Sequence, residues 1–173
     1  MPAFGLASAG AILVGESIGK RDFWAARRFV RLALTTAAVW MGSVGVVYFA
    51  LPSQLMRVFS HPGPGMFEFL TMGSLMLRFS AFWQLFDAVG ITLSESLRAA
   101  GDTTWCMVVR IVLAWFVFIP GAWVFVVQRA GGANAVMSMM VAYILMLSTS
   151  FALRFLSGKW QNIDLIGEPQ VLP

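Results

Sequence analysis

Residues 32–51 read LALTTAAVWMGSVGVVYFAL, a run without a single charge. Arg27, Arg28 and Arg31 stand just before it, and Pro52 ends it. At about 1.5 Å rise per residue, a helix of that length spans about 30 Å, the hydrocarbon thickness of a bilayer. Four further apolar stretches surround it. They run from Pro2 to Ile18, from about Phe69 to Leu97, from Trp105 to Val127 and from Ala133 to Leu156. None has the polar stripe of a soluble amphipathic helix, and none alternates with period two as barrel strands do. The predicted fold is an all-α integral membrane bundle of about five transmembrane helices, at residues 3–18, 25–51, 67–98, 105–128 and 133–157.

Composition supports this reading by exclusion. The chain has 173 residues, of which 59% are hydrophobic and 12% charged, with a mean hydropathy of +0.79. So little charge with so much apolar surface excludes a disordered chain and disfavours a water-soluble globule. Cys106 is the sole cysteine, which excludes a disulfide scaffold. Twelve Lys and Arg against eight Asp and Glu give a pI near 10. In a membrane protein that excess reads as loop charge rather than nucleic-acid binding. Residues 1–162 form one membrane unit, and 163–173 read as a polar, proline-bearing cytoplasmic tail. No basic residue precedes Lys20, so the start lacks the positive flank of a secretory signal and reads as an internal start or a fragment boundary.

Charge placement predicts the orientation. Lys20, Arg21, Arg27, Arg28, Arg31, Arg98, Arg110, Arg154 and Lys159 fall on one side, nine bases in all, against Arg57 and Arg129 on the other. The positive-inside rule places the first group and the C-terminus in the cytoplasm, and the loop carrying His61 outside. Ser60-His61-Pro62-Gly63-Pro64-Gly65 cannot continue a helix. Ala100-Gly101-Asp102-Thr103 ends one helix on a glycine and offers Asp102 or Thr103 as N-cap of the next.

No nucleotide loop, paired cysteines or metal-type spacing occurs, so neither an enzyme nor a metal site is predicted. The informative residue is Asp87. Counted from Arg98 at the cytoplasmic interface, it lies 11 residues deeper, roughly 16 Å, near mid-membrane. A carboxylate there is costly and must face a protein interior or a watery cavity. It is either a structural acid paired across helices or a site that exchanges H⁺ or Na⁺. Arg78, nine residues away, lies about 900° round the helix and points to the opposite face. Trp83 shares the face of Asp87 one turn earlier. With Gln84 it is the candidate contact for a cation or substrate. Glu16 and Glu95 are candidate secondary acids: Glu95 is spaced to pair with Arg98, and Glu16 to cap or bridge helices. Cys106 reads as a packing residue, and His61 carries little functional weight. Pro120 should kink its helix, and the small residues of the first stretch should allow close helix approach.

Three strings then resemble one family. FDAVGITLSESLRAAGDTT (86–104) is similar to the tenth helix of the multidrug and toxic compound extrusion (MATE) transporters, with an acid after Phe and a Leu-Arg helix end. GLASAGAILVGESIGKRDFWAARR (5–28) resembles the eighth helix and its following loop, and RFLSGKWQNI (154–163) the end of the twelfth. Glu16 stands where Gln is usual, and Ala99 where Gly is usual. The resemblance implies helices eight to twelve of a twelve-helix, two-lobe transporter in the plasma (inner) membrane. It implies coupling to H⁺ or Na⁺ without another cofactor, and export of small organic cations. The partners implied are the lipid bilayer and the missing N-terminal lobe, without which transport is not expected. Asp87 would be the coupling acid and Trp83 its aromatic neighbour. Two alternatives are a lipid-linked oligosaccharide flippase of the same superfamily and a non-transporting membrane assembly subunit. The flippase ranks lower because its cavity needs several bases, and only Arg78 is read as lying inside.

Overall fold

A computed structural model describes residues 2–59, 63, 65–128 and 132–163. They form α1 (Pro2–Gly19), α2 (Phe23–Ala50), α3 (Pro52–Phe59), α4 (Met66–Ala99), α5 (Thr103–Leu113), α6 (Ile119–Ala122) and α7 (Gly132–Leu156), followed by a 3-10 turn at Lys159–Asn162. Among the described residues, four helical runs are long and apolar enough to cross a bilayer: Pro2–Gly19, Phe23–Ala50, Thr103–Phe125 and Ala135–Leu156. About five were expected. The difference is α4, the longest helix at 34 residues, which carries Glu68, Arg78, Asp87, Glu95 and Arg98 along its length. The expected outer loop with His61, the turn at Arg129 and the tail beyond Ile163 lie outside the described residues.

Helix ends follow local chemistry. Asp22 caps α2 by accepting the Ala25 N–H at 2.9 Å. Pro52 ends α2 as expected, but the chain does not then become a loop. Pro52 opens α3, because its fixed φ suits a first helical position and it has no N–H to leave unbonded. The short helix turns back onto α4, where the Met56 side chain lies over Gly73.

The expected kink at Pro120 takes a different form. α5 and α6 are joined by a π-helical stretch, Ala114–Phe118, and a second one, Trp123–Gln128, follows. The Ile119 N–H bonds the carbonyl of Ala114, five residues back. A wider turn before the proline accommodates a ring that clashes with the carbonyl four residues earlier.

α4 is the hub. It packs against α1, α2 and α7 along much of its length and touches α5 only lightly. Small residues set the spacing. The buried stripe of α1 is Ala3, Ala7, Gly10, Val14, Ser17 and Ile18, at alternating steps of about four and three residues. A Cβ on Gly10 would lie 2.6 Å from that of Ala33, so α1 and α2 meet almost backbone to backbone. On α4, a Cβ on Gly90 would lie 2.8 Å from the Ser148 Oγ of α7.

The core gathers at one end of the bundle. Val14, Ile18, Ala26, Val30, Leu93, Leu97, Ala100, Cys106, Phe151 and Trp160 form one buried cluster. Trp160 closes it: its ring stacks on Phe155 at 5.3 Å, and its Nε1 donates to the Phe155 carbonyl at 3.0 Å. Cys106 is buried there, in the packing position expected. No residue in the most apolar stretch of Thr103–Phe125 is buried.

Candidate ion-coupling site

Asp87 sits midway along α4 and is half-buried. Ala88 and Gly90 are buried, and the Ser148 hydroxyl donates to the backbone carbonyl of Phe86. That bond fixes α7 against the turn that presents Asp87. Among the described residues, no base forms an ion pair with Asp87.

The sequence-predicted residues distribute unevenly around this point. Trp83 is half-buried one turn before Asp87. Gln84 leans towards α2, where its Oε1 would lie 3.8 Å from a Cβ on Gly45. That Oε1 is buried with no hydrogen-bond donor among the described residues. A buried acceptor without a donor is unusual and calls for a ligand or strain to explain it. Thr92 Oγ1 is a second such orphan on the same helix. No group of three or more His, Cys, Asp or Glu converges among the described residues.

Glu16 and Glu95 are answered within their own helices. Glu16 accepts from Lys20 at 2.6 Å on an exposed surface, so it neither caps nor bridges helices. Glu95 pairs with Arg98 at 2.9 Å, as the spacing predicted. Arg78 is exposed, with its guanidinium 6.0 Å from the Phe49 ring, beside a cavity of about 420 Å³ lined by Leu75, Phe79, Phe82, Ser138 and Val141.

Two features escaped the sequence reading. Asp102 stands at the N-cap position of α5 but makes no cap hydrogen bond. Its carboxylate instead grips Arg154 of α7 in a two-pronged ion pair, with Nε to Oδ2 at 2.6 Å and Nη2 to Oδ1 at 3.2 Å. A bidentate, charge-assisted pair outcompetes a single backbone N–H. The same guanidinium lies 5.1 Å from the Trp105 ring. Arg110, counted above as a charge beside a loop, lies two turns inside α5. Its Nη2 donates to Ser94 Oγ on α4 at 2.9 Å, and its guanidinium lies 5.8 Å from the Phe151 ring. Both arginines interrupt otherwise apolar runs, and that signal would have marked them as interhelical.

The MatE family model matches residues 1–124. The chain belongs to the MatE family. Members are secondary transporters of the multidrug-efflux type rather than enzymes. Over 171 residues the chain is 29% identical to the probable multidrug resistance protein NorM of Thermotoga maritima, covering 99% of this chain and 36% of that protein. It is 27% identical over 130 residues to the protein of the same name from Pseudomonas putida, covering 75% and 28%. The chain thus spans about a third of the length of these relatives.

Proposed function

We propose that this chain is the C-terminal lobe segment, helices eight to twelve, of a cation-coupled antiporter that exports organic cations. In this reading α4 also spans the membrane, as the third of five helices, residues 1–162 form the lobe, and the C-terminus is cytoplasmic in the plasma membrane. Asp87 binds the coupling cation, H⁺ or Na⁺, with Gln84 as a neighbouring oxygen and Trp83 as an aromatic contact. Cation binding there biases the lobe between inward- and outward-open states. The missing N-terminal lobe covers the open side of the bundle. The observation that carries this reading is a half-buried carboxylate in mid-helix that pairs with no base among the described residues. Proteins are expected to retain such a costly group where it binds something. The relatives' name, multidrug resistance protein, supports the class of cargo.

The flippase reading has one observation in its favour. Arg110 and Arg154 lie within helices rather than at loops, so the bundle holds more bases than Arg78 alone. Arg154, however, is neutralised by Asp102. The deciding experiment is drug efflux by the full transport polypeptide. Asp87→Asn is expected to abolish coupled efflux while the protein still reaches the membrane. Undiminished efflux would remove Asp87 from the mechanism.

A further inference from the structure

Ser94 and Asp87 are seven residues apart on α4, so they share a face, within about 20° of rotation. That face is turned towards α5, as the bond from Arg110 to Ser94 establishes. α4 ends at Ala99, and α5 begins at Thr103 and runs back alongside it. Measured from this turn at about 1.5 Å per residue, Ser94 lies about 8 Å up, Arg110 about 10 Å and Asp87 about 18 Å. The Cα of Arg110 therefore sits between the two oxygens. Its side chain hangs towards Ser94 in this structure and can swing the other way to Asp87. It is held by one hydrogen bond, to Ser94, and by its contact with the Phe151 ring, while the residue itself is exposed and α5 touches α4 only lightly. Among the described residues, no acid pairs with Arg110. Glu95 is committed to Arg98, and Asp102 to Arg154.

We propose that Arg110 is a tethered counter-cation that competes with the coupling cation for the Asp87 carboxylate and uses the Ser94 hydroxyl as its resting place. When the coupling cation arrives, Arg110 is displaced to Ser94. When the cation leaves, Arg110 swings onto Asp87, so the carboxylate is never left unneutralised within the membrane. Its movement also draws α5 towards or away from α4, which links ion occupancy to the width of the gap between them. The inference rests on the reading of Asp87 as the coupling acid and names a positioning residue for it.

The test uses the full transport polypeptide in proteoliposomes. The half-saturating concentration of the driving cation is measured with Na⁺ at fixed alkaline pH and with H⁺ in Na⁺-free buffer. Removing the competitor in Arg110→Gln should lower that concentration about tenfold, the effect of deleting one unit charge about 10 Å away at an effective dielectric near 20. Arg110→Lys keeps the charge and should stay within about threefold of wild type. Ser94→Ala removes the resting place and should raise the concentration by about threefold, the loss of one modest hydrogen bond. Structural damage weakens binding in every variant, so opposite shifts in Arg110→Gln and Ser94→Ala are the signature. An unchanged or weakened affinity in Arg110→Gln overturns the proposal, provided Asp87→Asn abolishes the response. If Asp87→Asn leaves the cation dependence intact, the coupling role of Asp87 fails first, and the counter-cation with it.

Discussion

Asp102 and Asp87 are the same side chain in two settings. Asp102 is buried at the packed end of the bundle, and Arg154 neutralises it through two hydrogen bonds. Asp87 lies in the middle of α4, on the face that carries Ser94, and among the described residues no base pairs with it. The packed end ties the last turns of α4 and α7 to the first turn of α5. The middle leaves a carboxylate and an amide oxygen with unused capacity. One region uses charge to hold helices together and the other keeps charge available, so substitutions at the two aspartates should separate stability from transport.

The largest stability effect is expected at the packed end. Asp102→Asn leaves the Arg154 guanidinium largely enclosed without its counter-charge. Removing one partner of a buried pair costs about 3–5 kcal/mol. Arg154 is 19% exposed, so the lower figure, about 3 kcal/mol, is expected. It would appear as a lowered midpoint of thermal unfolding in detergent. The double variant Asp102→Leu/Arg154→Met should recover most of that loss, since an apolar pair of similar volume replaces the ionic one. A single variant as stable as wild type would mean that the pair holds nothing and that the two settings differ less than described.

Gly10→Ala follows. The added methyl meets the Ala33 Cβ at 2.6 Å, and neither helix backbone can yield cheaply. Overpacking of this kind costs about 1–3 kcal/mol. Ala33→Gly in the same chain should restore the midpoint. Failure of that rescue would place the strain elsewhere than at the contact of α1 with α2.

Much of this was legible before any coordinates. The uncharged run 32–51 predicts a span at 25–51, and the helix found is Phe23–Ala50, because nothing tertiary is needed to decide it. Glu95 and Arg98 pair as predicted because a three-residue spacing in a helix is a local property. What the sequence hides is pairing across helices. Asp102 looks like an N-cap because the local rule has no knowledge of Arg154, 52 residues away. Arg110 looks like an interface charge until α4 is seen beside it. The turn at Pro52 was hidden for another reason, because proline both ends and begins helices and the string alone does not choose. Asp87 stands out in the sequence by depth alone, whereas whether a base pairs with it depends on neighbouring helices, and among the described residues none does.

Within the middle region, Gln84→Leu should raise stability by about 1 kcal/mol. The buried Oε1 has no donor among the described residues, and removing an unsatisfied buried oxygen relieves its desolvation cost. Leucine has similar reach and fits against Gly45. The same substitution should weaken cation dependence if Oε1 is a ligand. A loss of stability instead would show that the oxygen is satisfied in the membrane and is not held in reserve.

Asp87→Asn should have the smallest effect on folding, within about 0.5 kcal/mol, the range of substitutions that orphan no partner. Asn occupies the same volume, and the Ser148 bond to the Phe86 carbonyl does not involve the side chain that changes. Arg110 keeps its bond to Ser94. The contrast with Asp102→Asn is the sharp form of the comparison, because one substitution deletes the same charge at two sites and should shift the unfolding midpoint at one only. A midpoint lowered by Asp87→Asn as far as by Asp102→Asn would mean that Asp87 is a structural acid with an unseen partner. An unshifted midpoint with lost efflux would mean that the middle of α4 carries a charge the fold does not need, and that its cost is borne for cation binding.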